Sequence, residues 1–133
     1  MTSFHPSAYL RTSLLADAAA SGATGLLMLA GAEFLEGWLG LPATLLRTAG
    51  LILVPYVLFV IYAGTRNRLV PGMVLTVIVA NVLWVGASAL LLVGGWVAPT
   101  MLGYVFVVGQ AAAVGLFGEL QYMGLRRPAT NAA

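Results

Sequence analysis

Two carboxylic acids stand inside stretches that are otherwise free of charge. Asp17 follows Arg11 by six residues, and Glu119 precedes Arg126 by seven. A helix rises about 1.5 Å per residue, so each acid sits roughly 10 Å along its helix from the nearer Arg. An ionised carboxylate surrounded by lipid is costly, and such a residue marks a proton or cation site unless a structural partner neutralises it. Two carboxyls held face to face share a proton at neutral pH, because like charges at close range oppose double ionisation. The structural alternative has each acid reach toward the membrane boundary and pair with Arg11, Arg66 or Arg126.

Helical spacing brings the two acids together. Asp17, Ser21, Gly25 and Met28 recur at steps of four, four and three, which is one stripe of a helix. Ala111, Gly115, Glu119 and Tyr122 repeat those steps, and small residues on both stripes permit close approach. Asp17, Ser21 and Glu119 are therefore expected to form an intramembrane polar site. Asn81 and Gln110 make a second pair. Asn81 lies ten residues after Pro71 and Gln110 eleven after Pro99, which places both near the middle of their segments. An amide–amide hydrogen bond worth roughly 1 kcal/mol or less is the economical reading. A polar substrate site is the alternative. Ser88 shares the Asn81 face with Trp84.

Other chemistries have no residues to run on. Cysteine is absent, and His5 is the one histidine, ahead of the first apolar stretch. Disulfides, thiolate ligation and intramembrane haem or transition-metal ligation lack their usual side chains. No HExxH, GxSxG or phosphate-loop pattern occurs, and Gly22-Ala23-Thr24-Gly25 falls inside an apolar segment as a packing motif. No catalytic, cofactor-binding or metal residue is expected. The basic residues are six Arg and no Lys, too few for a nucleic-acid surface.

Four membrane spans must hold these residues. Positions 69–118 contain no charged side chain, and a single span needs about 20 apolar residues. The stretch reads as two helices with a turn at Gly94-Gly95-Trp96-Val97-Ala98-Pro99. Across the chain 61% of residues are hydrophobic and 8% charged, whereas soluble domains carry about 25% charged residues. Most of the outer surface must therefore face lipid. The spans are expected at about 12–35, 46–65, 71–93 and 99–124, forming one all-α antiparallel four-helix bundle over 1–128, with a disordered tail at 129–133. Pro55 is expected to kink the second span. The connection from Glu33 to Arg47 reads as a short amphipathic turn on the membrane surface, with Glu33, Glu36 and Arg47 as a solvated patch. Asp17 interrupts what would otherwise be a signal-peptide core, so the first span is expected to remain.

Arginine placement sets the orientation. Arg11, Arg66, Arg68, Arg126 and Arg127 fall on one side and Arg47 alone on the other, so both termini are expected in the cytoplasm. Tyr9, Tyr62 and Tyr122 then mark the inner boundary, and Trp38 and Trp96 the outer one.

The layout resembles the DoxX-like group of small bacterial four-helix membrane proteins. The resemblance lies in length, in the inner placement of the termini, and in Leu39-Gly40-Leu41-Pro42 followed by Leu45-Leu46-Arg47 and Ala49-Gly50. It covers about the first half of the chain and implies a bacterial inner-membrane bundle, some members being associated with redox partners. It supplies no residue to which an activity transfers. Small multidrug transporters also have four helices and an acid in the first, but theirs lies deeper and their Arg bias is weaker. The expected function is a non-catalytic scaffold or accessory subunit, self-associating or held in a larger membrane complex. The alternative is a proton-coupled small-solute transporter or channel using Asp17 and Glu119.

Overall fold

The computed structural model describes residues 2–126; Arg127 and the tail at 129–133 lie outside the described residues. The described residues form five helices: α1 (Ala8–Ala30), α2 (Ala32–Leu39), α3 (Ala43–Thr65), α4 (Pro71–Val93) and α5 (Met101–Arg126). All but α2 are long and apolar enough to cross a membrane. Each has 23 residues or more, beyond the roughly 20 that a bilayer core requires.

The boundaries follow from caps. α1 starts four residues before the expected position because Ser7 accepts a hydrogen bond from the Leu10 amide and so satisfies one free N–H of the first turn. It stops at Gly31, and the expected span to residue 35 divides there. The segment from residue 32 is a two-turn helix, α2, rather than a surface turn. It buries Ala32, Leu35 and Leu39, leaves Phe34 and Trp38 exposed, and ends at Gly40 in the left-handed conformation (φ 70°). α3 begins directly after Pro42 and runs unbroken through Pro55, which has no N–H to give the Leu51 carbonyl. α4 has the bounds read from the sequence, with Pro71 in its first turn.

α5 begins at Met101 rather than Pro99, and Thr100 is its cap. The Thr100 hydroxyl accepts from the Gly103 amide at 3.1 Å and donates to the Trp38 carbonyl at 2.7 Å. The Thr100 amide donates to the Leu39 carbonyl at 3.0 Å. The start of α5 is thus tied to the end of α2.

The long helices pair in antiparallel fashion, α1 along α3, α4 along α5 and α1 against α5, while α3 and α4 scarcely touch. Glycines set the closest approach of α1 and α3: a Cβ built at Gly50 would lie 3.0 Å from the Gly25 carbonyl oxygen and 2.8 Å from Leu29 Cγ. At the opposite end, Arg11 donates to the carbonyls of Gly64 (2.8 Å) and Arg66 (3.0 Å), closing the C-terminus of α3. The N-terminal segment is fastened to the α3–α4 loop there, by Phe4 and Leu69 exchanging amide hydrogen bonds and by Arg68 reaching Ser3 and His5.

Two apolar clusters make the core. One gathers Met28, Leu35, Leu39, Leu46, Leu53 and Val107 near α2, and the other gathers Leu10, Leu14, Val60, Leu69, Val74 and Val77 near the α3–α4 loop. Tyr56 packs against both, so it stands at the level where they meet.

Candidate intramembrane polar site

At the level of Tyr56 the core turns polar. The inward stripe of α1 carries Leu10, Leu14, Asp17, Ser21, Gly25 and Met28, which places Asp17 inside with no solvent-exposed surface. Each of the other long helices contributes one polar side chain toward it. The Asp17 Oδ2 atom lies 2.6 Å from the Tyr56 hydroxyl (α3), 3.2 Å from Asn81 Nδ2 (α4) and 2.8 Å from Gln121 Nε2 (α5). Ser21, one turn along α1, donates to Oδ1 at 2.8 Å. Asn81 further donates to Gln121 Oε1 at 2.9 Å, and its Oδ1 is 2.7 Å from the Tyr56 hydroxyl. None of the groups bonded to Asp17 carries a charge. No buried side-chain nitrogen or oxygen among the described residues is left without a partner.

Three expectations are corrected here. Glu119 does not face Asp17; it is exposed on the outer side of α5, and Gln121 occupies the inward position. Two residues along a helix is a rotation of about 200°, which turns one side chain out when the other points in. The buried residues of α5 are Gly103, Val107, Gly118, Gln121 and Gly124. Gly118, Gln121 and Gly124, spaced by three, were the signal for this face, whereas the stripe through Glu119 was drawn from the acid itself.

Asn81 and Gln110 do not bond each other. Asn81 of α4 lies opposite Gly118 of α5, while Gln110 donates to Ser88 at 3.0 Å and accepts from Trp84 Nε1 at 2.6 Å. Ser88 is seven residues beyond Asn81, which separates the two amides by roughly 10 Å along α4. Counting from opposite ends of helices of unequal length, 23 and 26 residues, hid that offset. The arginines also act elsewhere. Arg11 holds carbonyls, Arg66 lies over the Tyr62 ring at 5.0 Å, and Arg126 over Tyr122 at 5.7 Å. Among the described residues the one ion pair is Arg47–Glu33 at 3.1 Å, on the exposed face beside α2.

Sequence reasoning missed Tyr56 and Gln121. For Tyr56, ten residues from Arg66, the sign was a hydroxyl far from the boundary where Tyr usually sits; for Gln121, beside Tyr122, it was the glycine spacing alone. Among the described residues no group of three or more His, Asp or Glu could hold a metal ion.

Two of the clefts that adjoin the cluster reach Asn81. Between α3 and α4 a cleft of about 400 Å³ is lined by Leu53, Ala80, Leu83 and Trp84, with Ser21, Tyr56 and Asn81 at the edge where it meets the cluster. Between α4 and α5 a groove runs from the exposed Val82, Glu119 and Tyr122 down to the buried Asn81 and Gly118. Among the described residues Glu119 has no hydrogen bond or ion pair.

No protein-family model matches this chain, and neither a curated protein nor a solved structure matches it.

Proposed function

We propose that this protein is a non-catalytic subunit of a larger assembly in a bacterial inner membrane, with both termini in the cytoplasm. The observation that carries this reading is Glu119. A carboxyl on the exposed side of a spanning helix, without a hydrogen bond or ion pair among the described residues and set in a mostly apolar groove, is costly in lipid and is relieved by a partner. The fitting occupant is a membrane helix of another protein that carries Arg, Lys or an amide at the depth of Glu119. Two copies related by a twofold axis along the membrane normal would instead set one Glu119 against the other. The cluster around Asp17 supports a non-catalytic role, since its groups spend their hydrogen bonds on one another. Coupled transport through Asp17 and Glu119 together is not favoured, because one acid is enclosed and the other faces out.

A photo-crosslinking side chain at Val82, on the groove, is expected to capture a membrane helix bearing a basic or amide residue, identified by mass spectrometry of the adduct. The yield is expected to fall several-fold in Glu119→Gln, and the same crosslinker at Leu26 on α1 is expected to give no such adduct. Capture of a second copy alone, or yields indifferent to Glu119→Gln, would overturn this reading.

The orientation has its own test. Arg11, Arg66 and Arg68 gather at one end of the molecule, which the bias of basic residues assigns to the cytoplasm. The chain has no cysteine, so single cysteines report cleanly. Gly37→Cys, an exposed position with open space around it, is expected to react with a membrane-impermeant maleimide on intact spheroplasts. Ala133→Cys is expected to react only after permeabilisation. The reverse labelling pattern would place the termini outside.

A further inference from the structure

We propose that the Asp17 cluster is a proton-binding site that holds one hydrogen between Asp17 and Tyr56, so that Asp17 stands in the membrane as an uncharged carboxylic acid. The warrant is a count of hydrogens against contacts. Tyr56 has a single hydroxyl hydrogen, yet its oxygen lies 2.6 Å from Asp17 Oδ2 and 2.7 Å from Asn81 Oδ1. An ionised Asp17 has no hydrogen of its own, so one of these two oxygen–oxygen contacts is bare.

Exchanging amide oxygens and nitrogens does not remove the deficit. Turning Asn81 alone sets its oxygen 2.9 Å from Gln121 Oε1 and 3.2 Å from Asp17 Oδ2. Turning Gln121 alone sets two amide nitrogens against each other at 2.9 Å and an oxygen against Asp17 at 2.8 Å. Turning both repairs the amide–amide contact but leaves two amide oxygens against Asp17 Oδ2. Every arrangement is short by at least one hydrogen, and the unturned one has the smallest deficit.

A single added proton closes the ring. Placed on Asp17 Oδ2, it goes to the Tyr56 oxygen, and the Tyr56 hydrogen goes to Asn81 Oδ1. Asn81 Nδ2 then serves Gln121 Oε1, Gln121 Nε2 serves Asp17 Oδ2, and Ser21 serves the carbonyl oxygen Oδ1. The surroundings agree. The side chains facing Asp17 from α1, α3, α4 and α5 are Ser21, Tyr56, Asn81 and Gln121, all uncharged, while the nearest arginine along α1, Arg11, is committed to the Gly64 and Arg66 carbonyls. A buried carboxylate without a cation is far more costly than the neutral acid. Tyr56, Asn81 and Ser21 also line the α3–α4 cleft, so the cluster meets a cavity on that side.

Infrared spectroscopy of the full chain in lipid nanodiscs at neutral pH tests this directly, since the protein has only four Asp and Glu side chains. The expected result is a protonated-carboxyl C=O band that disappears in Asp17→Asn and persists in Glu119→Gln. Ser21→Ala is expected to fold and to move the band to higher wavenumber, because Oδ1 loses its donor; this variant carries the test if Asp17→Asn does not fold. Absence of the band in the wild type would overturn the proposal. So would a band that vanishes only in Glu119→Gln, or one that Ser21→Ala leaves unmoved.

Discussion

Replacing Asn81 with Leu is expected to destabilise the protein by about 2–4 kcal/mol, because three buried groups on three other helices lose a partner at once. Those groups are Asp17 of α1, Tyr56 of α3 and Gln121 of α5. Hydrogen bonds between membrane helices average well under the values found in water, which is why the figure stays below the simple sum of three desolvated groups. Gln110→Leu is expected to cost about 1 kcal/mol, since it frees Trp84 Nε1 and the Ser88 hydroxyl near the cleft and removes a bond to the Val107 carbonyl one turn back. The two sites share no partner and sit about two turns apart on α4, so the double variant is expected to show the sum of the single losses. Reversible unfolding in mixed micelles, read for the wild type and the three variants, measures the coupling. A double variant that regains most of the loss would mean that Asn81 and Gln110 do meet, contrary to the register of α4 and α5.

Gly103→Ala is expected to be damaging despite adding a single methyl. That methyl would fall on the Leu39 carbonyl oxygen and within 2.8 Å of Pro99 Cβ. The carbonyl cannot easily withdraw, because it accepts the Thr100 amide at the junction of α2 and α5. Overpacking of this kind costs about 1–3 kcal/mol, and a clash with backbone rather than a flexible side chain belongs at the upper end. Gly109→Ala in the same helix is the control. It has nothing within 4 Å, and exchanging Gly for Ala there is expected to be neutral or to stabilise by up to about 1 kcal/mol through helix propensity. Thermal unfolding midpoints in mild detergent should move in opposite directions for the two variants, or fall for Gly103→Ala alone. Equal midpoints would mean that α2 is not held against the start of α5.

The two predictions separate what is local from what is not. The charge-free run of positions 69–118 and the punctuation at Pro71 and Gly94–Gly95 determined α4 to the residue, because helix length against bilayer thickness and the cost of a charge in lipid are local constraints. The burial of Asp17 with Ser21 on one stripe was equally legible, since the small and apolar residues at steps of three and four on α1 form one face. α2 was missed because Gly31 is a quiet break in an apolar run, and only the packing of Leu35 and Leu39 against α3 and α5 makes the short helix worth forming.

What the tertiary structure alone decided is rotation and register. Apolar side chains surround α5 on every side, since one side meets protein and the others face lipid, so no apolar periodicity announces which face is inside and the spacing of Gly118, Gln121 and Gly124 is its sign. Its rotation is settled by Gly118 and Gly124 letting Asn81 and Leu10 come close, and that places Gln121 on Asp17 and turns Glu119 away. The depth at which Asn81 meets Tyr56 and Gln121 rather than Gln110 depends on the slide of α5 past α4, and the tie of Thr100 to Trp38 and Leu39 fixes the start of α5 against α2. Hydropathy places a residue within a membrane; only contact between helices says which residue it meets there.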